Sequence, residues 1–258
     1  MKHDRREFLV AGAAGILAAC GGGEGGGKGT AEKGAPPAYT KVDPATAAKV
    51  AGKVNYIGPK PARKVIDMSS EESECRRSHS GPVYSEEVVL NADGALANVF
   101  VYVSAGLEGK AFEPPATPVK LNQTGCMFRP HVAGVMAGQP LVIANSDPVT
   151  HNIHPMPVKN REWNQGQPPG APEIERVFRF EEIMIPVKCN VHSWMKSYIG
   201  VLPHPFFAVT GEDGAFELAG LPPGEYTVTA WHEKFGTQAA KVTLAPSGAA
   251  TAAFTFNS

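Results

Sequence analysis

The sequence lacks the features of helical proteins, of attached haem and of two common classes of hydrolase. Its 258 residues contain no long segment in which apolar residues recur at helical spacing. They contain no Cys-x-x-Cys-His, Gly-x-Ser-x-Gly or His-Glu-x-x-His, and so no c-type haem, serine hydrolase or zinc protease motif. The formal net charge of −1 gives no reason to expect a nucleic-acid partner.

Turn-forming residues, by contrast, are abundant. The chain contains 28 Gly and 23 Pro, and its apolar segments are short. This combination favours many short strands joined by turns, so we expect an all-β fold. The length allows one large or two small domains, and a hydrophobic content of 43% is ordinary for a globular protein.

The N-terminus predicts targeting and not folded structure. Arg5 and Arg6 precede an apolar run over residues 8–19 that is too short to span a bilayer as a helix. This arrangement resembles a twin-arginine export signal, the kind that exports folded proteins. We therefore expect an exported protein.

A second signal follows directly. Leu-Ala-Ala-Cys, ending at Cys20, resembles a bacterial lipobox, which implies that Cys20 is lipidated and becomes the new N-terminus. Residues 1–20 would then be the export and lipoprotein signal, and the Gly-rich residues 21–45 a flexible tether. The lipid would be the only contact with the membrane, on its periplasmic side or at the cell surface.

Two stretches carry metal-binding side chains. Cys189, His192 and Met195 lie within seven residues, and an upstream stretch contains His151 and His154. A Cys and two His, with a weak axial Met, form the donor set of blue-copper electron-transfer sites. The soft sulfur ligands suit Cu(I), and imidazole suits copper in either oxidation state.

The spacing of these residues resembles a known family. Cys-x-x-His-x-x-Met after a strand, preceded by Asn-x5-His-Asn-Ile, resembles the cupredoxins over about residues 119–202. The resemblance implies a Greek-key β-sandwich, which we assign to residues 113–205, and one type 1 copper ion. The ligands that it implies are His151, Cys189, His192 and Met195.

Two further residues near the implied ligands have predicted roles. Asn152 matches the family residue that helps to tie the two ligand loops together. His154 lies three residues after His151 and also has donor atoms, so it is kept as the reserve first ligand.

The C-terminal region resembles a different family. Residues 210–226 read Thr-x-x-Asp-Gly-x-Phe-x-Leu-x-x-Leu-Pro-Pro-Gly-x-Tyr, which resembles the carboxypeptidase regulatory-like, prealbumin-like β-sandwich. That family begins with a Gly-x-Val strand and a later apolar strand, and residues 52–54 and 99–103 look like these two pieces. The pattern predicts a fold and says almost nothing about function.

We therefore predict a discontinuous arrangement of domains. Residues 46–112 and 206–258 would form the small prealbumin-like β-sandwich, with the cupredoxin domain of residues 113–205 inserted between them, because insertion at loop tips is structurally tolerated. The alternative is sequential packing, in which residues 47–205 form one enlarged cupredoxin.

The cysteine count bears on the metal site. With Cys20 assigned to lipid and Cys189 to metal by these resemblances, Cys75 and Cys126 remain, and an exported compartment permits a disulfide between them. The rival pairing places Cys189 in a disulfide and abolishes the copper site.

Three functions are compatible with these residues. The first is one-electron transfer between redox protein partners, without enzymatic activity, because four protein ligands leave copper no open position for a substrate. The second is copper storage or delivery. The third is a non-metal β-sandwich that binds a surface or a carbohydrate, for which Cys189 would be bridged.

Two nearby side chains have open roles at this point. His131 is either an additional metal or supporting residue or, as we prefer, a structural hydrogen-bonding group. Trp194 lies inside the metal loop, where it either shields the site from water or forms part of an electron-exit surface.

Overall fold

The computed structural model describes residues 38–69 and 73–257. Strands are the main regular structure of these residues, which include one short helix, α1 (Ser73–Arg77), so the all-β prediction is confirmed. Within the described part of the chain, no helix is both long enough and apolar enough to cross a membrane. The predicted signal (1–20), Cys20 and residues 21–37 of the predicted tether lie outside the described residues.

Sixteen strands are formed by the described residues. In chain order they are β1 (Ala48–Ile57), β2 (Phe100–Ala105), β3 (Val119–Thr124), β4 (Met127–Arg129), β5 (Val132–Met136), β6 (Pro140–Asn145), β7 (His151–Pro155), β8 (Gln165–Gln167), β9 (Ile174–Val177), β10 (Glu182–Lys188), β11 (Lys196–Leu202), β12 (Phe207–Val209), β13 (Ala215–Leu221), β14 (Gly224–His232), β15 (Gly236–Leu244) and β16 (Ala249–Asn257).

The first and last strands form one sandwich, here called the C-terminal sandwich. Its two sheets have the orders β13-β1-β16 and β12-β2-β14-β15. Strand β1 pairs antiparallel with β13 and parallel with β16. On β16 the buried residues alternate with exposed ones at Ala252, Phe254 and Phe256, because alternate side chains of a strand face the core.

The middle strands form a second sandwich, here called the metal sandwich. Its sheets have the orders β5-β11-β10-β7-β8 and β4-β3-β6-β9. Fully buried side chains from both sheets, among them Leu121, Ile143, Ile153 and Ile199, fill the space between them. Strands β7 and β10 are antiparallel neighbours, with His154 opposite Lys188, so the start of β7 lies beside the loop that follows β10.

The two sandwiches pack against each other through an apolar cluster that includes Phe100, Tyr102 and Leu202. Two glycines of the metal sandwich permit this close approach. A Cβ at Gly134 would lie 2.4 Å from the Phe207 ring, and one at Gly200 would lie 2.6 Å from the Phe100 ring. Any larger residue at either position would therefore force the interface apart.

The long connection between β1 and β2 crosses from one sandwich to the other. Met68 and Cys75 are buried in the core of the metal sandwich, although both belong to the predicted segment 46–112. Their apolar side chains and the Cys75–Cys126 disulfide hold this segment there. The exact boundaries predicted for the two domains stay a prediction.

The described end of the predicted tether is held by the C-terminal sandwich. The Thr40 N–H donates to the Ala111 carbonyl at 2.7 Å, and Val42 packs against the apolar core. The chain therefore joins the folded unit before residue 45, where the tether was predicted to end, because these contacts fix its backbone.

Candidate metal centre

Three predicted ligands meet at one end of the five-stranded sheet of the metal sandwich, where β7 begins and β10 ends. His151 begins β7, Cys189 follows β10, and His192 lies in the loop between β10 and β11. The Nδ1 atoms of His151 and His192 are 2.9 Å apart, and the Cys189 Sγ lies 3.9 Å from the His192 Nδ1. Donor atoms of all three residues lie within 4.8 Å of one another, and all three side chains are buried. The loops thus bring together a thiol and two imidazoles in a site without water access.

The surroundings of Cys189 favour ionisation of its thiol. Burial disfavours the thiolate, but hydrogen bonds from His151 and His192 outweigh burial and lower the pKa of Cys189 from 9.0 to about 5. The His192 backbone N–H also donates to the Cys189 Sγ at 3.4 Å. A thiolate is the form of cysteine that binds metal, so the site favours a metal-binding state at neutral pH.

A carboxylate that we did not predict orients His151. Asp147 is buried, and its Oδ2 lies 2.8 Å from the His151 Nε2. Burial lowers the pKa of His151, but the hydrogen bond and charge of Asp147 reverse this effect, and the net pKa is raised. Because the Nε2–H of His151 donates to Asp147, its Nδ1 is the nitrogen left for a metal.

Backbone groups hold Asp147 in place. The Gly125 N–H donates to Oδ1 at 2.6 Å and the Cys126 N–H donates to Oδ2 at 2.8 Å. Burial raises the pKa of Asp147, yet these hydrogen bonds and that of His151 lower it overall. Asp147 lies four residues before His151 in the sequence. That spacing is the one feature of the sequence from which the role of Asp147 could have been predicted.

Asn152 lies between the two loops, at the position where the resemblance places a tie. Its Oδ1 accepts the Asn190 N–H at 2.6 Å and lies 3.3 Å from the Cys189 Sγ. Its Nδ2 donates to the Asn164 Oδ1 at 2.7 Å. One amide side chain therefore connects the loop of the cysteine to the strand of the first histidine.

His154 lies away from the cluster. Its Nε2 pairs with the Glu162 Oε1 at 2.6 Å, and its Nδ1 lies 3.3 Å from the Asn190 Oδ1. Among the described residues, the group that contains Cys189 and His192 includes His151 and not His154. The choice of His151 over the reserve residue as the first ligand stays a prediction.

Met195 is fully buried in the same apolar core as Cys189. Its backbone N–H donates to the His192 carbonyl at 3.0 Å, and its carbonyl accepts the Cys189 N–H at 3.2 Å. These two bonds close the loop from Cys189 to Met195 into a compact turn. The role of Met195 as the fourth ligand stays a prediction.

The described cysteines divide as the predicted pairing requires. Cys75 and Cys126 form a disulfide, and Cys189 is free. Two other groups of possible donors include Cys75 or Cys126, but a bridged sulfur has no thiolate to offer. The group of His151, Cys189 and His192 therefore keeps all its donors.

The disulfide lies directly against the second histidine. The Cys75 Sγ is 3.5 Å from the His192 Nε2, and the rings of His192 and Trp194 have centroids 5.2 Å apart. The indole N–H of Trp194 donates to the Cys126 carbonyl at 2.9 Å. The contact between Cys75 and His192 joins residues 117 positions apart, and no short-range pattern in the sequence indicates it.

His131 has a structural partner. Its Nδ1 lies 3.1 Å from the Lys196 carbonyl oxygen and its Nε2 lies 2.5 Å from the Glu233 Oε1. Glu233 follows β14 of the C-terminal sandwich, so the pair connects the two sandwiches. This contact agrees with the structural interpretation of His131.

Comparisons with known proteins give one family match and several similar structures. Residues 204–257 match the carboxypeptidase regulatory-like domain family. No match to a curated protein sequence is found. The chain is also similar to three solved structures.

The first is a Cu-containing nitrite reductase from Thermus scotoductus SA-01, with 21% identity and a TM-score of 0.31 over 40% of this chain and 25% of that one. The second is a novel purple cupredoxin from Nitrosopumilus maritimus, with 19% identity and a TM-score of 0.28 over 32% of this chain and 98% of that one. The third is an oxidized point mutant of amicyanin, with 12% identity and a TM-score of 0.30 over 39% of this chain and 97% of that one.

The family match identifies the strands of residues 204–257 as a carboxypeptidase regulatory-like domain. The strands of the metal sandwich form a pair of packed sheets, with the loop of Cys189 between β10 and β11. The chain therefore combines the C-terminal sandwich, whose last strands match the carboxypeptidase regulatory-like domain family, with a second β-sandwich that carries the cluster of His151, Cys189 and His192.

Proposed function

We propose that this chain is a mononuclear copper protein that exchanges single electrons with redox partners. The observation that supports the proposal most directly is the convergence of the His151 and His192 Nδ1 atoms on the buried Cys189 thiol. Soft sulfur and imidazole donors in this combination suit copper better than the oxygen-preferring cations.

The donor atoms suit copper in their chemical type as well as in their number. The low pKa of Cys189 supplies a thiolate, and Asp147 holds the His151 proton on Nε2, which leaves the Nδ1 of His151 facing the cluster. The Nδ1 of His192 also lies in the cluster. Met195 would be the fourth, weakly bound ligand. Bound copper would supply a Cu(II)/Cu(I) couple, which gains or loses one electron without the formation of a bond in the protein.

The surrounding residues favour electron transfer over substrate chemistry. His151 and His192 are fully buried and Cys189 nearly so, which excludes water from the site. Asn152 and Asp147 hold both ligand loops in fixed positions, and a fixed site is one in which copper can change oxidation state with little movement. With Met195 as fourth ligand, no position is left open for a substrate, so we do not propose an enzyme.

The visible absorption spectrum of the full chain with added Cu(II) tests this proposal. We expect an intense blue thiolate-to-copper band that ascorbate bleaches and an oxidant restores, and that is absent in Cys189→Ser. A band that cannot be cycled would support copper storage or delivery. Absence of the band in the wild-type chain would refute the copper site.

Separate replacements test the choice of histidine. His151→Ala should remove the blue band, whereas His154→Ala should keep it, because His154 pairs with Glu162 outside the cluster. Loss of the band in the His154 variant alone would overturn the assignment.

Lipid anchoring at Cys20 is included in the proposal and rests on the N-terminal sequence. The test is to fractionate cells that express the full chain. Wild-type protein should be found with membranes and carry a lipid mass at its N-terminus, whereas Cys20→Ala should be found free of membranes. Equal membrane association of both would contradict lipidation.

A further inference from the structure

The outer edge of His192 is covered in this structure. The residue is fully buried, its Nε2 lies 3.5 Å from the Cys75 Sγ, and the Trp194 ring lies beside it. A partner protein that approaches this face would therefore meet the covering groups before it meets the histidine. An electron that passes between the partner and His192 must therefore cross either the disulfide at Cys75 or the ring of Trp194.

Trp194 is the covering group that also reaches the surface. It is half-buried, and its indole N–H is fixed by the Cys126 carbonyl at 2.9 Å. The other side of Trp194 lines a cavity of about 260 Å³, which we call the Trp194 pocket. Its wall also includes Lys64, Lys196, Glu86, Glu87 and Glu233. An aromatic ring thus bridges the distance between a predicted copper ligand and an open pocket.

The charged groups of the pocket are not equally available. Each carboxylate has a bonded partner: Glu86 forms an ion pair with Arg129 and Glu87 with Lys234, and Glu233 is hydrogen-bonded to His131. Lys64 and Lys196 are exposed and have no ion-pair partner among the described residues. The charge left to meet a partner is therefore positive.

We propose that the Trp194 pocket is the electron-exchange port of the protein, and that it receives an acidic side chain of a redox partner protein. The inference rests on the proposed copper function. One electron passes between the partner and the metal site through Trp194 and His192, and no bond forms or breaks and no proton moves. Lys64 and Lys196 attract carboxylates on the partner surface, as complementary charges do at transient interfaces.

Binding to the metal-free protein tests the port without copper. The full chain, labelled with ¹⁵N, would be titrated with hexacyanocobaltate(III), a trianion that does not exchange electrons under these conditions. We expect the Trp194 indole N–H and the Lys196 amide to shift, and Lys64→Gln/Lys196→Gln to abolish the shifts. Arg161→Gln, an exposed charge in another cavity, is the matched control. Unmoved Trp194 signals, or shifts retained in the double variant, would overturn the proposal.

Electron exchange with a small anionic oxidant tests the path itself. Stopped-flow oxidation of the copper-loaded, reduced chain by ferricyanide should slow severalfold in Trp194→Leu, while the blue band stays. Trp163→Leu, a half-buried tryptophan in a different cavity, should keep the wild-type rate. An unchanged rate in Trp194→Leu with its band intact would refute the port and leave the copper function standing.

If Trp194→Leu loses its blue band, the dependence of the oxidation rate on charge tests the port instead. The Lys64→Gln/Lys196→Gln variant should react up to about tenfold more slowly with ferricyanide at low salt, and this difference should shrink as salt is added. Its rate with a cationic cobalt(III) phenanthroline oxidant should not fall. Equal ferricyanide rates for the double variant and the wild type would refute the port. A wild-type chain without a blue band would instead refute the underlying copper function.

Discussion

The two sandwiches bury histidine in opposite ways. In the metal sandwich, His151 contacts the carboxylate of Asp147 and the pKa of His151 is raised despite complete burial. In the C-terminal sandwich, burial lowers the pKa values of His204 and His232 to about 4. His204 stacks on Phe206, and His232 stacks on Phe235.

The difference shows that burial alone does not decide the charge of a histidine. Desolvation acts in the same direction in both sandwiches, because it always disfavours the charged imidazole. The neighbouring acid Asp147 reverses it in the metal sandwich. In the C-terminal sandwich, the Val103 carbonyl at His204 and the charge of Glu233 near His232 oppose desolvation without reversing it. A functional site is distinguished here by the partner of the histidine and not by its depth.

Removal of Asp147 should have the largest effect. Asp147→Ala leaves His151 and two backbone N–H groups without their buried acceptor, so we expect a loss of about 3–5 kcal/mol in the free energy of unfolding. Urea unfolding of the metal-free full chain would measure it. Asp147→Asn, which keeps one acceptor oxygen, should lose less. A loss in Asp147→Ala as small as that of an exposed ion pair would remove the contrast between the sandwiches.

The disulfide should contribute nearly as much. Cys75 and Cys126 are separated by 51 residues, and the chain-entropy estimate for a loop of that length is about 4 kcal/mol. We expect Cys75→Ser/Cys126→Ser to lower the urea midpoint accordingly and the wild type with a reducing agent to approach the same value. Equal midpoints with and without the bridge would show that the metal sandwich does not depend on it.

The C-terminal sandwich should respond to acid through its histidines. His204 and His232 have folded pKa values of about 4 against an ordinary 6.5. The stability that depends on both histidines being neutral is therefore fully present above pH 6.5. That contribution is lost as the pH falls from 6.5 to 4, by at most about 3 kcal/mol per residue.

Replacement of one of these histidines tests the assignment. His204→Gln, which can still donate to the Val103 carbonyl, should flatten the decline in unfolding free energy between pH 6.5 and 4. An unchanged pH profile would mean that the pKa of His204 is not lowered in the folded state, and the contrast with His151 would then be smaller.

An exposed ion pair provides the smallest expected effect and the baseline for the others. The side chains of Lys49 and Glu217, on β1 and β13, are each 50% exposed, with the charged atoms 2.8 Å apart. Glu217→Gln should lower the unfolding free energy by less than about 1 kcal/mol. A larger loss in urea unfolding would show that this surface ion pair contributes more to the stability of the C-terminal sandwich than exposed charges usually do.

The sequence predicted the contacts that are close along the chain. Cys189, His192 and Met195 lie within seven residues, and the family spacing pointed to His151. The all-β fold followed from short apolar segments and frequent turns. Local patterns of this kind are visible because strand period and loop length are encoded by neighbouring residues.

Contacts between distant segments could not be predicted in the same way. The approach of Cys75 to His192 depends on where the β1–β2 connection crosses the metal sandwich, which no periodicity records. The role of Asp147 depends on two backbone N–H groups at Gly125 and Cys126, whose direction is set by the tertiary fold. Apart from the spacing between Asp147 and His151, neither feature has a residue pattern of its own.

The pairing of β1 with β16 also sets an order of events during synthesis. Strand β1 begins at Ala48, and its parallel neighbour begins at Ala249, with β13 on the other side also made late. At ribosomal speeds, the first strand waits about 10–40 s for its partners, while the strands of the metal sandwich are all completed before them. The C-terminal sandwich can therefore close only when the last strand has emerged. An export route for folded proteins, as the proposed twin-arginine signal implies, suits a chain whose first strand must wait for its last.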